Sequence, residues 1–198
     1  MPSLVVPFRR AKGKSRLGPL SGKVRSALAR AMLADVVDAC CAVGPTFVVA
    51  APGLEIAGAS FVVDPGGGQG GAVRAGLEAA ALASGGVGPF LVVNADLPCV
   101  TPRDLLTLAG SMPTGGLAVA AAADGTTNAL ALSSPELYHP VYGPGSAARF
   151  AALAESRTID VPNLLDDVDT LADLERIRSR VGTHTRGELV ALGIGAAA

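Results

Sequence analysis

The sequence predicts an α/β fold, a mostly parallel central sheet flanked by helices, on three observations. Short β-branched runs alternate with longer alanine-rich stretches, the pattern of parallel βαβ units. One run, Phe90 to Ala95 (FLVVNA), is apolar on both faces, as a strand covered by helices on both sides must be. The chain has 198 residues, 49% of them hydrophobic, with no internal repeat, linker or compositional break. One domain over residues 1–198 is therefore expected, with a single core. The mean hydropathy of +0.44 overstates that core, because alanine adds little burial per residue.

Ser3 to Pro7 (SLVVP) reads as the first strand. Lys23 to Val43 reads as a helix, with Val24, Leu28, Met32 and Val36 at helical spacing and stops at Gly22 and at Gly44-Pro45. Thr46 to Ala50 and Ser60 to Asp64 read as strands, followed by a glycine loop from Pro65 to Gly71 and a helix from Ala72 to about Ala83. Phe90 to Ala95 is placed at the sheet's centre. Thr101 caps a short helix opened by Pro102. Leu117 to Ala122 and Ala129 to Leu132 read as strands, Ser146 to Glu155 as a helix, Thr158 to Val161 as a strand and Thr170 to Arg180 as the last helix. The tail from Gly182 to Ala198 is assigned no element.

Composition narrows the function. Lysine plus arginine total 16 against 17 acidic residues, so the net charge of -1 supplies no positive field for a nucleic-acid backbone. No apolar run reaches the roughly 18 residues of a membrane span. At the N-terminus the apolar segment precedes the charges, the reverse of a secretory signal, so a cytoplasmic protein is expected. Three cysteines, two of them adjacent at Cys40 and Cys41, make no disulfide framework, and two histidines make no zinc site. GxxxxGK[ST] and GxGxxG are both missing, which disfavours a P-loop NTPase and a dinucleotide oxidoreductase.

What remains lies at predicted strand ends. FRRAKGKSRLG crowds Arg9, Arg10, Lys12, Lys14 and Arg16 into one loop after the first strand, at the sheet end where ligands bind. It suits a triphosphate, or is a solvated charge run. The loop Asp64 to Gly71 carries Gly66, Gly68 and Gly70; it either offers backbone N–H groups to a nucleotide or is simply a loop. Asn94-Ala-Asp-Leu-Pro98 sets Asp96 where the central strand turns, as a ligand for a divalent ion or as a cap for that turn. In Asp166-Asp-Val-Asp169, an extended backbone points Asp167 and Asp169 to the same side, where their repulsion invites a cation. Asp169 or Thr170 as a helix cap is the competing reading. Asp124-Gly-Thr-Thr-Asn-Ala-Leu130 and Tyr142-Gly-Pro-Gly-Ser146 lie between them, the latter with N–H groups suited to a carboxylate or phosphate. His139, His184 and Cys99 have no evident catalytic partner.

Taken in order, VPF followed by KSRL, DPGGGQGG, NADLP, GTTNAL, YGPGS and DDVDTLADL resemble the guanylyltransferases of coenzyme F-420 biosynthesis, over roughly Val5 to Leu174. These are relatives of the molybdenum-cofactor guanylyltransferase. The resemblance implies a Rossmann-like fold of the nucleotide-diphospho-sugar transferase type. It implies transfer of GMP from GTP to the phosphate of a small phosphorylated carboxylic acid, with release of pyrophosphate. Phosphoenolpyruvate, 2-phospho-L-lactate and 3-phosphoglycerate are the acceptors within the family. The alanine- and glycine-heavy composition resembles the actinobacterial forms, which points to phosphoenolpyruvate.

Carried over by motif, Asp96, Asp167 and Asp169 hold Mg2+, with Asp96 also catalytic. Lys14 and Arg16 meet the GTP phosphates, and Arg9, Lys12, Gly66, Gly68 and Gly70 belong to the nucleotide site. Thr127, Gly143 and Ser146 hold the acceptor by its carboxylate. The implied product is labile, so the downstream transferase of the pathway is an implied partner.

The chain departs from the family in places. Arg9 stands where a lysine is usual, the basic loop is one residue shorter, and a second glycine between the threonines of GTTN is missing. Gly68-Gln69-Gly70 replaces the common GLN, removing an amide that could read a purine edge. A molybdopterin or sugar-phosphate nucleotidyltransferase is the nearest alternative, disfavoured by the missing LAGGxSxRMG-like opening. A non-catalytic nucleotide-binding protein is another, disfavoured by the retained carboxylates and basic loop.

Overall fold

The computed structural model describes residues 1–9 and 20–193. Its seven strands are β1 (Ser3–Phe8), β2 (Thr46–Ala50), β3 (Ser60–Val63), β4 (Phe90–Val93), β5 (Leu117–Ala121), β6 (Thr127–Leu132) and β7 (Ser156–Ile159). They form one sheet in the order β3-β2-β1-β4-β6-β5-β7. The pairs β1·β2, β2·β3, β1·β4 and β5·β7 are parallel, whereas β6 runs antiparallel to β4 and β5. The expected mostly parallel α/β architecture is present, and β4 is its middle strand with all four residues buried.

The helices are α1 (Gly22–Cys41), α2 (Gly68–Ser84), α3 (Pro102–Ser111), α4 (Ser146–Ala151), α5 (Pro162–Leu165), α6 (Leu171–Ile177) and α7 (Thr183–Ala191). Strand alternation divides the core into two layers. Leu4, Val6, Leu91 and Val93 join Leu28, Met32 and Leu105 on one face, under α1 and α3. Val5, Val49, Phe90 and Val92 join Val73, Leu77 and Phe150 on the other, under α2 and α4. A Cβ on Gly76 would come within 2.3 Å of the Val5 side chain, so α2 needs a glycine to lie this close to β1.

Several expected boundaries move. Ser21 caps α1 by accepting from the Val24 N–H, so Gly22 is its first residue and not a stop. The helix expected from Ala72 begins at Gly68, after Gly66 and Gly67 at φ +89° and +78° have turned the chain. The helix expected to reach Glu155 ends at Ala151. There the Ser156 hydroxyl donates to the Ala151 carbonyl, and the Leu117 N–H draws Glu155 into the sheet. That pairing also moves β7 two residues earlier than expected. Thr101 caps α3 as expected, with Asp104 closing the capping box.

The last helix among the described residues is α7, in the tail from Gly182 where the sequence predicts no element. Its cap comes from α1, where the buried Asp35 carboxylate accepts from the N–H groups of His184 and Thr185, at 2.9 Å each. None of the described helices is long and apolar enough to cross a membrane.

Candidate functional site

The chain runs outward through β1, β2 and β3, then returns to place β4 on the other side of β1. Ligands of open α/β sheets collect at such a reversal, beyond the strands' carboxyl ends. A cleft of about 340 Å³ opens there, lined by Pro7 to Arg9 from the end of β1, Ala29 and Met32 from α1, Gln69 from α2, and Asn94 to Asp96 after β4, with Asp169.

Asp96 and the Asp166 to Asp169 segment are joined by the backbone, the Val168 N–H donating to the Asp96 carbonyl at 3.0 Å. As the extended spacing requires, alternate carboxylates then diverge. Asp166 pairs with Arg176 and Arg180. Burial pulls its carboxyl upward, but hydrogen bonds from Arg180 and Arg176 outweigh that and hold it below the usual range. Asp167 and Asp169 turn to Asp96, and one carboxylate oxygen from each of the three lies within 4.8 Å of the others. Thr170 caps α6, with Asp173 completing the box, so the cap and the acidic cluster are adjacent but separate.

Burial, the charge on Asp96 and, to a lesser degree, Asp169 push the Asp167 carboxyl up to about 6, against an opposing hydrogen bond from Asn128. Half-buried carboxylates that repel one another this way suit a hard, oxygen-seeking cation. The cluster could hold a divalent metal.

On the nucleotide side of the sequence reading, Arg9 lines the cleft. A Cβ on Gly68 would come within 3.9 Å of the Arg9 guanidinium, so these two expected neighbours do meet. The Gly66 N–H donates to Asp64 at 2.8 Å. Gly70 presses on Pro140, where a Cβ would stand 2.6 Å from the ring, and its carbonyl accepts from the Tyr138 hydroxyl. Lys12, Lys14 and Arg16 lie outside the described residues.

Thr127 begins β6 and Ser146 begins α4; both are buried, with their hydroxyl oxygens 2.9 Å apart. Gly143, at φ +110°, lies in the loop before Ser146. The next residue of β6, Asn128, turns to the opposite face and reaches Asp167. One strand end therefore serves both the acidic cluster and the hydroxyl pair.

The structure adds residues that the sequence reading left without a role. Gln69 donates from Nε2 to Asn94 Oδ1 at 2.8 Å, and Asn94 donates from Nδ2 to the Thr127 carbonyl at 3.0 Å. These amides form a bridge from the cleft to β6. Arg149 holds the loop before Ser146. No spacing rule would have found these pairs, because their partners are distant in the chain or are backbone carbonyls. Cys99 is buried, and burial first of all pushes its thiol up to about 11, so it stays protonated. His184 pairs with Asp38 on α1, away from the cleft.

Residues 14–165 match the family model described as the MobA-like NTP transferase domain. The chain is 34% identical to a phosphoenolpyruvate guanylyltransferase of Sphaerobacter thermophilus, over 87% of this chain and 90% of that one. It is 34% identical to the Nocardia farcinica protein of the same name, over 96% and 91%. A 2-phospho-L-lactate guanylyltransferase of Natrialba magadii is 36% identical, over 88% and 82%. Among solved structures, the fold is shared with a 2-C-methyl-D-erythritol 4-phosphate cytidylyltransferase of Thermus thermophilus. Its TM-score is 0.61 and its identity 16%, over 90% of this chain and 98% of that one.

Proposed function

Because the chain belongs to the MobA-like NTP transferase family, and within it to the phosphoenolpyruvate and 2-phospho-L-lactate guanylyltransferases, we propose that it transfers GMP from GTP to phosphoenolpyruvate. The products are enolpyruvyl-diphospho-5'-guanosine and pyrophosphate. The observation that carries the reading is the convergence of Asp96 with Asp167 and Asp169 beside a cleft at the sheet's reversal point.

In this reading an oxygen of the acceptor phosphate attacks the α-phosphorus of GTP in line, and the bond to the pyrophosphate leaving group breaks. The attacking phosphate is already ionised at neutral pH, so no general base is required. The barrier lies in bringing two polyanions together in the right orientation. Asp96, Asp167 and Asp169 supply an all-oxygen donor set for Mg2+, which when bound would neutralise and align phosphate oxygens.

The chain's own groups do the remaining positioning. Arg9, Gly66, Gly68 and the close-packed Gly70 border the nucleotide, and Lys12, Lys14 and Arg16 meet its phosphates. Thr127, Gly143 and Ser146 hold the acceptor's carboxylate. Gln69, anchored on Asn94, keeps its carbonyl oxygen to accept from guanine N–H groups, which adenine lacks at those positions. It supplies the amide that Gly70 does not.

The decisive assay offers GTP and Mg2+ with phosphoenolpyruvate, 2-phospho-L-lactate and 3-phosphoglycerate separately, and identifies products by mass after trapping with the downstream transferase. Phosphoenolpyruvate is expected to be the preferred acceptor. Pyrophosphate release with none of the three would overturn the reading. Preference for 2-phospho-L-lactate is the second reading, favoured by the Natrialba relative. The labile product argues for direct hand-over to that transferase, and a cytoplasmic setting supplies GTP and phospho-acid together.

A further inference from the structure

Arg149, in the last turn of the short helix α4, spends its exposed guanidinium on the loop that precedes the helix. Nε and Nη2 donate to the Val141 carbonyl at 3.1 and 2.9 Å. Nη2 also donates to the Tyr142 carbonyl at 3.3 Å, and Nη1 to the Pro144 carbonyl at 2.6 Å. The one remaining carbonyl of this stretch, Gly143, accepts from the Ser146 N–H at 2.9 Å. These four bonds leave from three separate nitrogens of one planar fork, one bond more than the three donors of an ammonium could make from its single nitrogen.

The consequence falls on the other side of the loop. In a trans peptide the C=O and the following N–H point in opposite directions. With the carbonyls of residues 141, 142 and 144 turned to Arg149, the N–H groups of Tyr142, Gly143 and Gly145 are turned away from it. Residue 144 is proline and has none. Gly143 and Gly145, at φ +110° and +70°, make the bends that this requires. None of the three N–H groups has a hydrogen-bond acceptor among the described residues. Beside them stand the buried hydroxyls of Ser146 and Thr127.

We infer that Arg149 is a positioning residue for the acceptor's carboxylate: it holds the Val141–Pro144 carbonyls on its own side so that the loop's N–H groups form one wall of the carboxylate site. It touches no substrate itself. This inference rests on the acceptor site proposed above and deepens it, since it assigns carboxylate selectivity to the shape of one loop. A single guanidinium maintains that shape from the surface.

The test compares wild type with Arg149→Met and Arg149→Lys, using phosphoenolpyruvate and vinyl phosphate, which lacks the carboxylate. The expected result is a KM for phosphoenolpyruvate raised about 30-fold, the cost of losing well-placed hydrogen bonds to a charged group. The KM for GTP and the melting temperature should stay near wild type, and the preference for phosphoenolpyruvate over vinyl phosphate should collapse. Arg149→Lys should behave like Arg149→Met, and added guanidinium ion should partly restore Arg149→Met.

An unchanged KM for phosphoenolpyruvate overturns the inference. So does a rise shared equally by GTP, or a lysine variant with wild-type selectivity. Calorimetric binding of phosphoenolpyruvate to the magnesium-loaded proteins gives a readout independent of turnover. Tight binding of the acid by wild type and weak binding by Arg149→Met, with no product from either, would sink the proposed reaction and leave this inference standing.

Discussion

Asp167 carries the electrostatic tension of the site, and replacing it separates stability from activity. Its folded-state pKa of about 6 lies above the ordinary 3.8, so this carboxyl favours folding in acid, and its contribution is lost as pH rises through 6. Asp167→Asn removes the charge but keeps an oxygen for Asn128. After allowance for solvent screening it should stabilise the metal-free protein by about 1–2 kcal/mol and raise its Tm by a few degrees, measured in EDTA, while turnover is lost. Asp96→Asn should lose at least about a thousandfold in turnover with the fold intact by circular dichroism, as expected when charge stabilisation in a transition state is removed. Gln69→Ala should lower the preference for GTP over ATP about tenfold, read as a ratio of kcat/KM values, the cost of one specific hydrogen bond. The aspartates were legible because carboxylates at strand ends are costly to place without compensation. Gln69, Asn94 and Arg149 were not, because a glutamine in a glycine run or an arginine on a short helix acquires meaning only from its tertiary partner.

At the scale of elements, α7 is held to α1 by a carboxylate that reaches the helix N-terminus from outside. Asp35→Ala leaves the buried Thr185 N–H and the partly buried His184 N–H without their acceptor and should cost about 1–3 kcal/mol. Hydrogen exchange should show the α7 amides opening first, with β4 unaffected. A Cβ on Gly182 would stand 2.3 Å from Asp35 Oδ1, so Gly182→Ala should loosen the same junction. No local signal marks this helix, because its cap lies 150 residues away, between Asp35 and Thr185. The local punctuation served better where partners are near: Thr101 with Asp104 caps α3 as expected, and Thr46–Ala50 falls where the β-branched run put it. The direction of β6 was legible but unread. Asp124-Gly125 sits in the short loop between β5 and β6, with Gly125 at φ +79° and the Ala122 N–H donating to the Thr126 carbonyl, a turn that sends the chain back antiparallel.

For the molecule as a whole, sheet order decides where chemistry can happen. The reversal beside β1 opens the cleft, and the reversed strand β6 brings Thr127 and Asn128 to the same end of the sheet as the turn after β4, the Asn94 N–H donating to the Asn128 carbonyl. Parallel order was predictable from the alternation of strands and helices, and the convergence of Asp96 with Asp167 and Asp169, which depends on long-range pairing, was expected from the resemblance of the motifs and is what the structure shows. If those carboxylates bind Mg2+, saturating ion at about a hundred times its Kd should add about 2.7 kcal/mol of stability, and Asp96→Asn should abolish the increment in a thermal melt. Met32 and Asp35 stand one turn apart on α1, the first on the cleft wall and the second gripping α7. Helix α7 therefore has leverage over a cleft it never lines: on the proposed function, proteolytic clipping or a bulky insertion that pries α7 loose should raise the KM for GTP.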